Sequence, residues 1–424
     1  MRLIIAALAM GLAWALRGHF GHEHGAAWAG AVGTLAVLIV VRRSDWNRRL
    51  PVLASLGALG WSIGGIMSYG IVVGYGRGTD FLNVLYGLAM LFVIGGLYGF
   101  LGGGFFGLGL ETTSQRRPAW HSLACEMVVG AVLIWGILVY QFEWLMTPPR
   151  SELWAACLGA AMALTWFLYR NGFKRSLVLA CYSGLGAGIG FSFGNFLQTL
   201  GTVSGYALNW WNLMEFTLGF CGGLGMGYAV TRTGWEESDT ESKASNLIGA
   251  VFLLIVIPIV NLIQSFEWER LVSQVQRLNL PGVAEIAATQ RVLGWAVLGA
   301  FLLIGMAVLW RLGAEAAGTS QAVVCVFGLI YLLEFIVFSF VRKAVYVTGF
   351  STQPEQFIYW VFLLLLTGLV FLLFRRNPPA RLAPEVLVPI RWDLSGVGIA
   401  VLLVALAWLS VNLHNGLPGA HTRF

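Results

Sequence analysis

Charge is what this chain has least of. Only 11% of its 424 residues are Asp, Glu, Lys or Arg, against about 25% in a soluble domain. No interval between apolar runs is long enough for a separate soluble domain. Cysteine is sparse as well. Cys125, Cys157, Cys181, Cys221 and Cys325 lie in apolar runs without a CxxC spacing, which argues for packing residues rather than a disulfide or metal framework. The net charge of +6 does not point to nucleic acid, because the basic residues sit in short connections between apolar runs. The many glycines have no strand-turn-helix setting, so they do not read as a phosphate-cradling loop.

What remains is a succession of apolar runs of roughly 20 residues, each long enough to span a bilayer. They predict an all-α polytopic membrane protein, one transmembrane domain over residues 1–424, with the lipid bilayer as its first partner. Thirteen helices are expected, over 3–16, 26–41, 51–73, 81–109, 119–140, 152–169, 176–196, 212–231, 246–263, 291–311, 321–341, 356–374 and 396–413. Residues 1–15, with Arg2 ahead of an apolar run, also resemble a signal peptide. The repeat described below takes them as its first helix. Arg42, Arg43, Arg48, Arg49, Arg116, Arg117, Arg170, Lys174 and Arg175 concentrate in alternate connections. The positive-inside rule then puts the N-terminus in the cytoplasm and the C-terminus outside, in a bacterial inner membrane.

Internal echoes subdivide the chain. Trp28 to Arg43, Trp154 to Arg170 and Trp295 to Arg311 are apolar helices of similar length. Gly130-Ala131-Val132 leading to Phe142-Glu143-Trp144 matches Gly249-Ala250-Val251 leading to Phe266-Glu267-Trp268. Gly64 to Gly70 echoes Gly188 to Gly194, with Phe338-Ser339-Phe340 as a fainter copy. Asn83-Val84-Leu85-Tyr86 echoes Asn212-Leu213-Met214-Glu215. The expectation is three repeats of four helices, over 1–116, 117–243 and 244–391, followed by a final helix at 396–413. An even number of helices makes such copies parallel.

The densest polar stretch is Arg17-Gly18-His19-Phe20-Gly21-His22-Glu23-His24-Gly25, between the first two helices. Charged groups beside hydrocarbon are costly and tend to mark function. On the same predicted outer side lie Asp80, Asn83, Glu143, Asn195, Gln198, Trp211, Asn212, Glu215, Glu267 and Trp268, while Glu334 sits midway along an apolar helix. Equivalent helix ends arranged about an axis would form an outward cup of carboxylates, amides, Arg and aromatic rings. Arg17, His19, Glu23 and Glu215 are predicted to converge there, with Trp211 nearby, because convergence lets each charge offset another's desolvation. His19, His22 and His24 match no zinc spacing, and neither a metal nor another cofactor is expected. Each feature also has a purely structural explanation: Trp favours the headgroup level, and His often only satisfies a hydrogen bond.

Carboxylates beside aromatic rings suit a hydroxylated ligand. The leading expectation is a secondary transporter of a small polar solute, a sugar or an organic acid. It would bind through Arg17, His19, His22, His24, Asp80, Asn83, Asn195, Gln198, Trp211, Asn212, Glu215, Trp268 and Glu334. The alternative is a membrane-embedded enzyme acting on a glycan or lipid-linked glycan, with Glu23, Glu143, Glu215 and Glu267 as acid/base candidates. Asp45-Trp46-Asn47-Arg48-Arg49 is similar to the cytoplasmic motif of major facilitator transporters, an Asp followed by paired basic residues. It lacks that motif's glycine, and no site residue is carried over.

Overall fold

A computed structural model describes the chain apart from residues 150–151, 239–241, 315–320 and 377–386 and the side chains of 23 and 312–314. Among the described residues all regular structure is helical. In order the helices are α1 (Arg2–Arg17), α2 (Glu23–Val41), α3 (Ser44–Arg48), α4 (Leu50–Gly64), α5 (Gly70–Tyr75), α6 (Phe81–Glu111), α7 (Trp120–Trp135), α8 (Trp154–Arg170) and α9 (Lys174–Val203). There follow α10 (Trp210–Arg232), α11 (Lys243–Val251), α12 (Ile257–Ser265), α13 (Trp268–Arg277), α14 (Val283–Ala314), α15 (Gln321–Arg342), α16 (Val345–Thr348), α17 (Pro354–Arg376) and α18 (Trp392–Val411). Short π-helical stretches, Gly136–Gln141 and Phe252–Val256, extend α7 and join α11 to α12. Among the described residues, ten of the resulting helices are long and apolar enough to cross a membrane.

Three of the thirteen expected spans depart from that count. The first and sixth form helices of only 16 and 17 residues. The third, expected to run unbroken over 51–73, is split into α4 and α5 by a non-helical turn after Gly64. Glycine loses the most backbone freedom in a helix, and Gly64-Gly65 supplies two together. The amphipathic α13 falls outside the expected spans, because its charged and apolar residues alternate too quickly to form a long apolar run. Leu271 and Val275, one turn apart, are the residues it buries.

α1 is the centre of the bundle. Ile5 through Arg17 is buried almost without interruption, against α2 on one side and α10 on the other. The long α6, α9 and α10 pack closely behind it. Gly95, Gly99, Gly103 and Gly107 recur every four residues of α6 and face Ala187, Ser183, Leu179 and Ser176 of α9. Small residues let membrane helices approach until backbone meets backbone, where dispersion replaces the missing hydrophobic drive. A Cβ on Gly103 would stand 2.8 Å from both the Leu179 carbonyl and Ser183 Cβ. Gly103→Val should therefore force α6 from α9 and lower stability by about 1–3 kcal/mol. Thermal unfolding in detergent measures this, and an unchanged midpoint would contradict the close approach.

Connections sort onto two faces. On one, Arg43 binds Asp45 at 2.8 Å and the Trp235 carbonyl, and Arg116 reaches Glu111, Glu236 and the Gly172 carbonyl. These are loops predicted to lie inside. On the other, Asn83 binds the His421 carbonyl, Arg423 the Leu145 carbonyl, and Asn261 the His24 carbonyl. These are loops predicted to lie outside.

Candidate functional site

α1 ends on Arg17, which is only 1% exposed. The chain must then turn sharply into α2, and Gly25 makes that possible. A Cβ there would lie 2.8 Å from Arg17 Cγ and from its carbonyl. The guanidinium is thus pressed inward over the ring of Trp14, 4.5 Å away, a cation–π contact worth about 2 kcal/mol when desolvated.

A non-helical turn and two further helices complete its surroundings. Tyr69 comes from the break between α4 and α5. Its hydroxyl accepts from both terminal nitrogens of Arg17 at 2.9 Å. Tyr98, from α6, accepts from Nη2 at 3.3 Å. Glu215, from α10, is fully buried and faces Arg17 at 3.7 Å, from Nη2 to Oε2. Tyr69 donates to Glu215 Oε1, and the Trp211 indole donates to the same oxygen at 3.1 Å. Tyr69 therefore relays between cation and anion. At 3.7 Å the direct pair attracts electrostatically without a hydrogen bond. Among the described residues, Arg17 Nε and Glu215 Oε2 have no hydrogen-bond partner. Buried polar atoms are usually paired, so such orphans call for a cause.

The depth of this cluster follows from helix rise. At 1.5 Å per residue, Tyr98 lies about 26 Å from the Phe81 end of α6 and about 20 Å from its Glu111 end. By the same rise Glu215 lies about 8 Å from the Trp210 start of α10, and Arg17 is the last residue of α1, so the pair is buried towards the predicted outer side.

A second polar group adjoins it. His19 is buried, and its Nδ1 is 2.6 Å from Ser339 Oγ of α15. Ser339 in turn donates to Gln356 Oε1 at 2.9 Å. The His19 ring lies 6.0 Å from that of Tyr359, whose hydroxyl accepts from Asn212 Nδ2 at 2.5 Å. His19 Nε2 and Gln356 Nε2 are further buried atoms without a hydrogen-bond partner. His22, at the mouth, sets its ring edge-on to Tyr69 at 5.1 Å.

Burial, then the Lys343 and Arg342 charges, hold the His19 imidazole well below its ordinary value. Burial and then Arg17 bring His22 down to about 4. The folded protein thus resists protons that the unfolded chain accepts below about 6.5. Stability should be level above neutrality and fall as pH drops from about 6.5 towards 4. His22→Gln should make that decline shallower in thermal denaturation, and an unchanged slope would contradict the shift.

The remaining expected site residues fall elsewhere. Asn195 and Gln198 of α9 are buried and bonded to each other, and Asn195 also binds the Val73 carbonyl. Asp80 caps α6 by accepting from the Asn83 backbone. The Asn83 side chain is committed to the Tyr75 and His421 carbonyls and the Arg423 amide. His24 is half-buried at the start of α2. Glu334 is buried midway along α15. Glu143 is exposed at a positive φ beyond the π-helical end of α7. Glu267 pairs with Arg270 at 2.9 Å at the surface, and it and Trp268 line a separate cleft of about 600 Å³ with Arg291 and Trp295. The Glu23 side chain lies outside the described residues. Of the four carboxylates proposed for acid/base work, Glu215 alone is placed against Arg17 among the described side chains. A single cup shared by all the outer carboxylates is not formed.

Sequence reasoning missed Tyr69, Tyr98 and Ser339 as site residues, and it placed Gln356 and Tyr359 only among the general lining of the outer cup. A signal was available for two of them, Gln356 and Tyr359. Asp80-x-x-Asn83-x-x-Tyr86, Asn209-x-x-Asn212-x-x-Glu215 and Gln353-x-x-Gln356-x-x-Tyr359 share one spacing, and α6, α10 and α17 each begin one residue after the first member. No family model matches the chain, and no curated protein or solved structure is similar to it at a level that carries an argument.

Proposed function

We propose that the chain is a secondary transporter of a small polar solute, a sugar or an organic acid, recognised by Arg17, Tyr69, Tyr98 and Glu215. The carrying observation is the buried Arg17–Glu215 pair, held apart at 3.7 Å with an atom on each side that lacks a hydrogen-bond partner among the described residues, at the break of a discontinuous helix. Transporter sites commonly lie where membrane helices are interrupted, and the break that places Tyr69 against Arg17 supports the same reading. A hydroxyl bridging the two charges would accept from Arg17 Nε and donate to Glu215 Oε2. Movement of α5 against α4 would open the way. Glu334, an ionisable group deep in α15, is the candidate for proton coupling.

The three-repeat reading belongs with this proposal. The shared spacing at the starts of α6, α10 and α17 supports it, as do the π-helical stretches in the first helices of the second and third copies. The bacterial inner-membrane placement, with the 18–22 loop and the chain end outside, rests on the Lys and Arg pattern.

A membrane-embedded enzyme acting on a glycan is the second reading. The glycine-sealed contact of α6, α9 and α10 favours it, since Met10, Trp14 and Trp61 form an apolar plug between the cluster and the predicted inner face. Proteoliposomes separate the two. With labelled hexoses, hexuronates and small carboxylic acids, wild-type protein should accumulate one class, and the folded Arg17→Met/Glu215→Gln double variant should reduce uptake at least ~100-fold, the loss of about 2.7 kcal/mol of interaction. Bond cleavage without accumulation would move the assignment to the enzyme. Neither activity would overturn both.

A further inference from the structure

A cleft of about 190 Å³ opens between α1, α10 and α17. Its body is apolar, formed by Leu12, Leu213, Phe216, Ile358 and Phe362. Its upper rim is polar, with Glu355, Asn212 and Tyr359. Ile358 is 41% exposed, so the mouth lies on the outer wall of the bundle, where lipid would lie. At 1.5 Å per residue, the stretch from Glu355 to Phe362 runs about 10 Å, from the start of α17 into the hydrocarbon-facing part.

One layer of side chains separates this cleft from the polar site. The Asn212–Tyr359 hydrogen bond forms the partition. Behind Tyr359 stands the His19 ring, and one turn below Asn212 on the same helix is Glu215. His19 and Glu215, the residues next to this wall, each carry a buried polar atom, Nε2 and Oε2, without a hydrogen-bond partner among the described residues. A free sugar would make no use of an apolar slot beside its binding groups. A molecule with a hydroxylated head and a hydrocarbon tail would use both, because the slot offers dispersion contacts and the cluster offers charge-assisted hydrogen bonds.

We infer that the cleft seats the tail of an amphiphilic substrate whose hydroxylated head is read by the Arg17–Glu215 cluster, the substrate entering sideways from the bilayer when the Asn212–Tyr359 bond opens. The inference rests on the solute-site reading above and narrows it to a substrate carrying a hydrocarbon chain.

The test uses the full chain in nanodiscs with octyl glucoside bearing a diazirine in its tail. Photolabelling should map to residues 208–216 and 354–362, should saturate, and should be competed by octyl glucoside far better than by glucose. Leu213→Trp, which fills the slot, should lower it at least ~10-fold. Ile358→Trp should do the same, so that misfolding of one variant leaves the other to decide. Unsaturable labelling, no stronger there than around lipid-facing Val401 of α18, would overturn the inference and identify the cleft's occupant as bulk lipid. Saturable labelling unchanged in the doubly substituted Arg17→Met/Glu215→Gln protein would refute the head's assignment to the charged pair. Solute uptake without saturable labelling would refute the cleft alone and leave the transporter reading standing.

Discussion

Arg17→Met should lower stability by about 3–5 kcal/mol, and adding Glu215→Gln should restore most of that loss. The reason is the burial of both partners, 1% and 0% exposed. Taking a charge out of water is expensive, and removing one member of a buried pair leaves the other uncompensated. Removing both leaves no unpaired charge. In the double variant Tyr69 can still donate to the side-chain carbonyl that Glu215→Gln retains, and the new thioether side chain still covers Trp14. Strong non-additivity is the signature of residues in one network. Denaturation of the two single variants and the double variant in one detergent measures it. Additive losses would mean that the pair is not coupled. If the double variant were as unstable as either single, the tyrosines would be holding the cluster without the charges. Complete burial makes each charge depend on the other.

Tyr69→Phe carries the second large effect. One hydroxyl accepts from Arg17 and donates to Glu215. Hydrogen bonds to charged groups are each worth about 1.5–3 kcal/mol. With the hydroxyl gone, the two charges confront each other at a spacing too long for a hydrogen bond. Phe keeps the ring packed on Phe191 and near Trp211, so helix packing should survive. Binding or uptake of the solute should fall at least ~100-fold in Tyr69→Phe, the loss of about 2.7 kcal/mol, and far less in Tyr86→Phe, whose hydroxyl binds the Met146 carbonyl away from the cluster. Equal effects would show that Tyr69 is structural only.

The meeting of Arg17 with Glu215 was legible in the sequence because charge is so scarce. Two ionisable groups at helix ends in an apolar protein have few ways to offset desolvation other than each other. The tyrosines were not legible, since a Tyr in an apolar run looks the same whether its hydroxyl faces a charge or a headgroup. The turn after Gly64 was hidden for a related reason: 51–73 is continuously apolar, and only the position of Tyr69 against α1 gives the break a purpose. Glu143 and Glu267 stood beside Glu215 as acid/base candidates because each has a Trp nearby. Their exposure separates them, and exposure depends on which helices close over a loop. Asn83 was expected to bind substrate, yet its amide is used by the segment around His421, a contact between residues more than three hundred positions apart. No local pattern encodes that.

The most direct measurement is ligand-dependent thermal stability of wild-type protein and the Arg17→Met/Glu215→Gln double variant against sugars, sugar acids and nucleosides. A ligand that binds the native state raises its stability in proportion to the logarithm of its concentration over Kd. The account predicts that at least one class raises the melting temperature of the wild type and leaves the folded double variant unmoved. Equal stabilisation of both proteins by every active compound would contradict it.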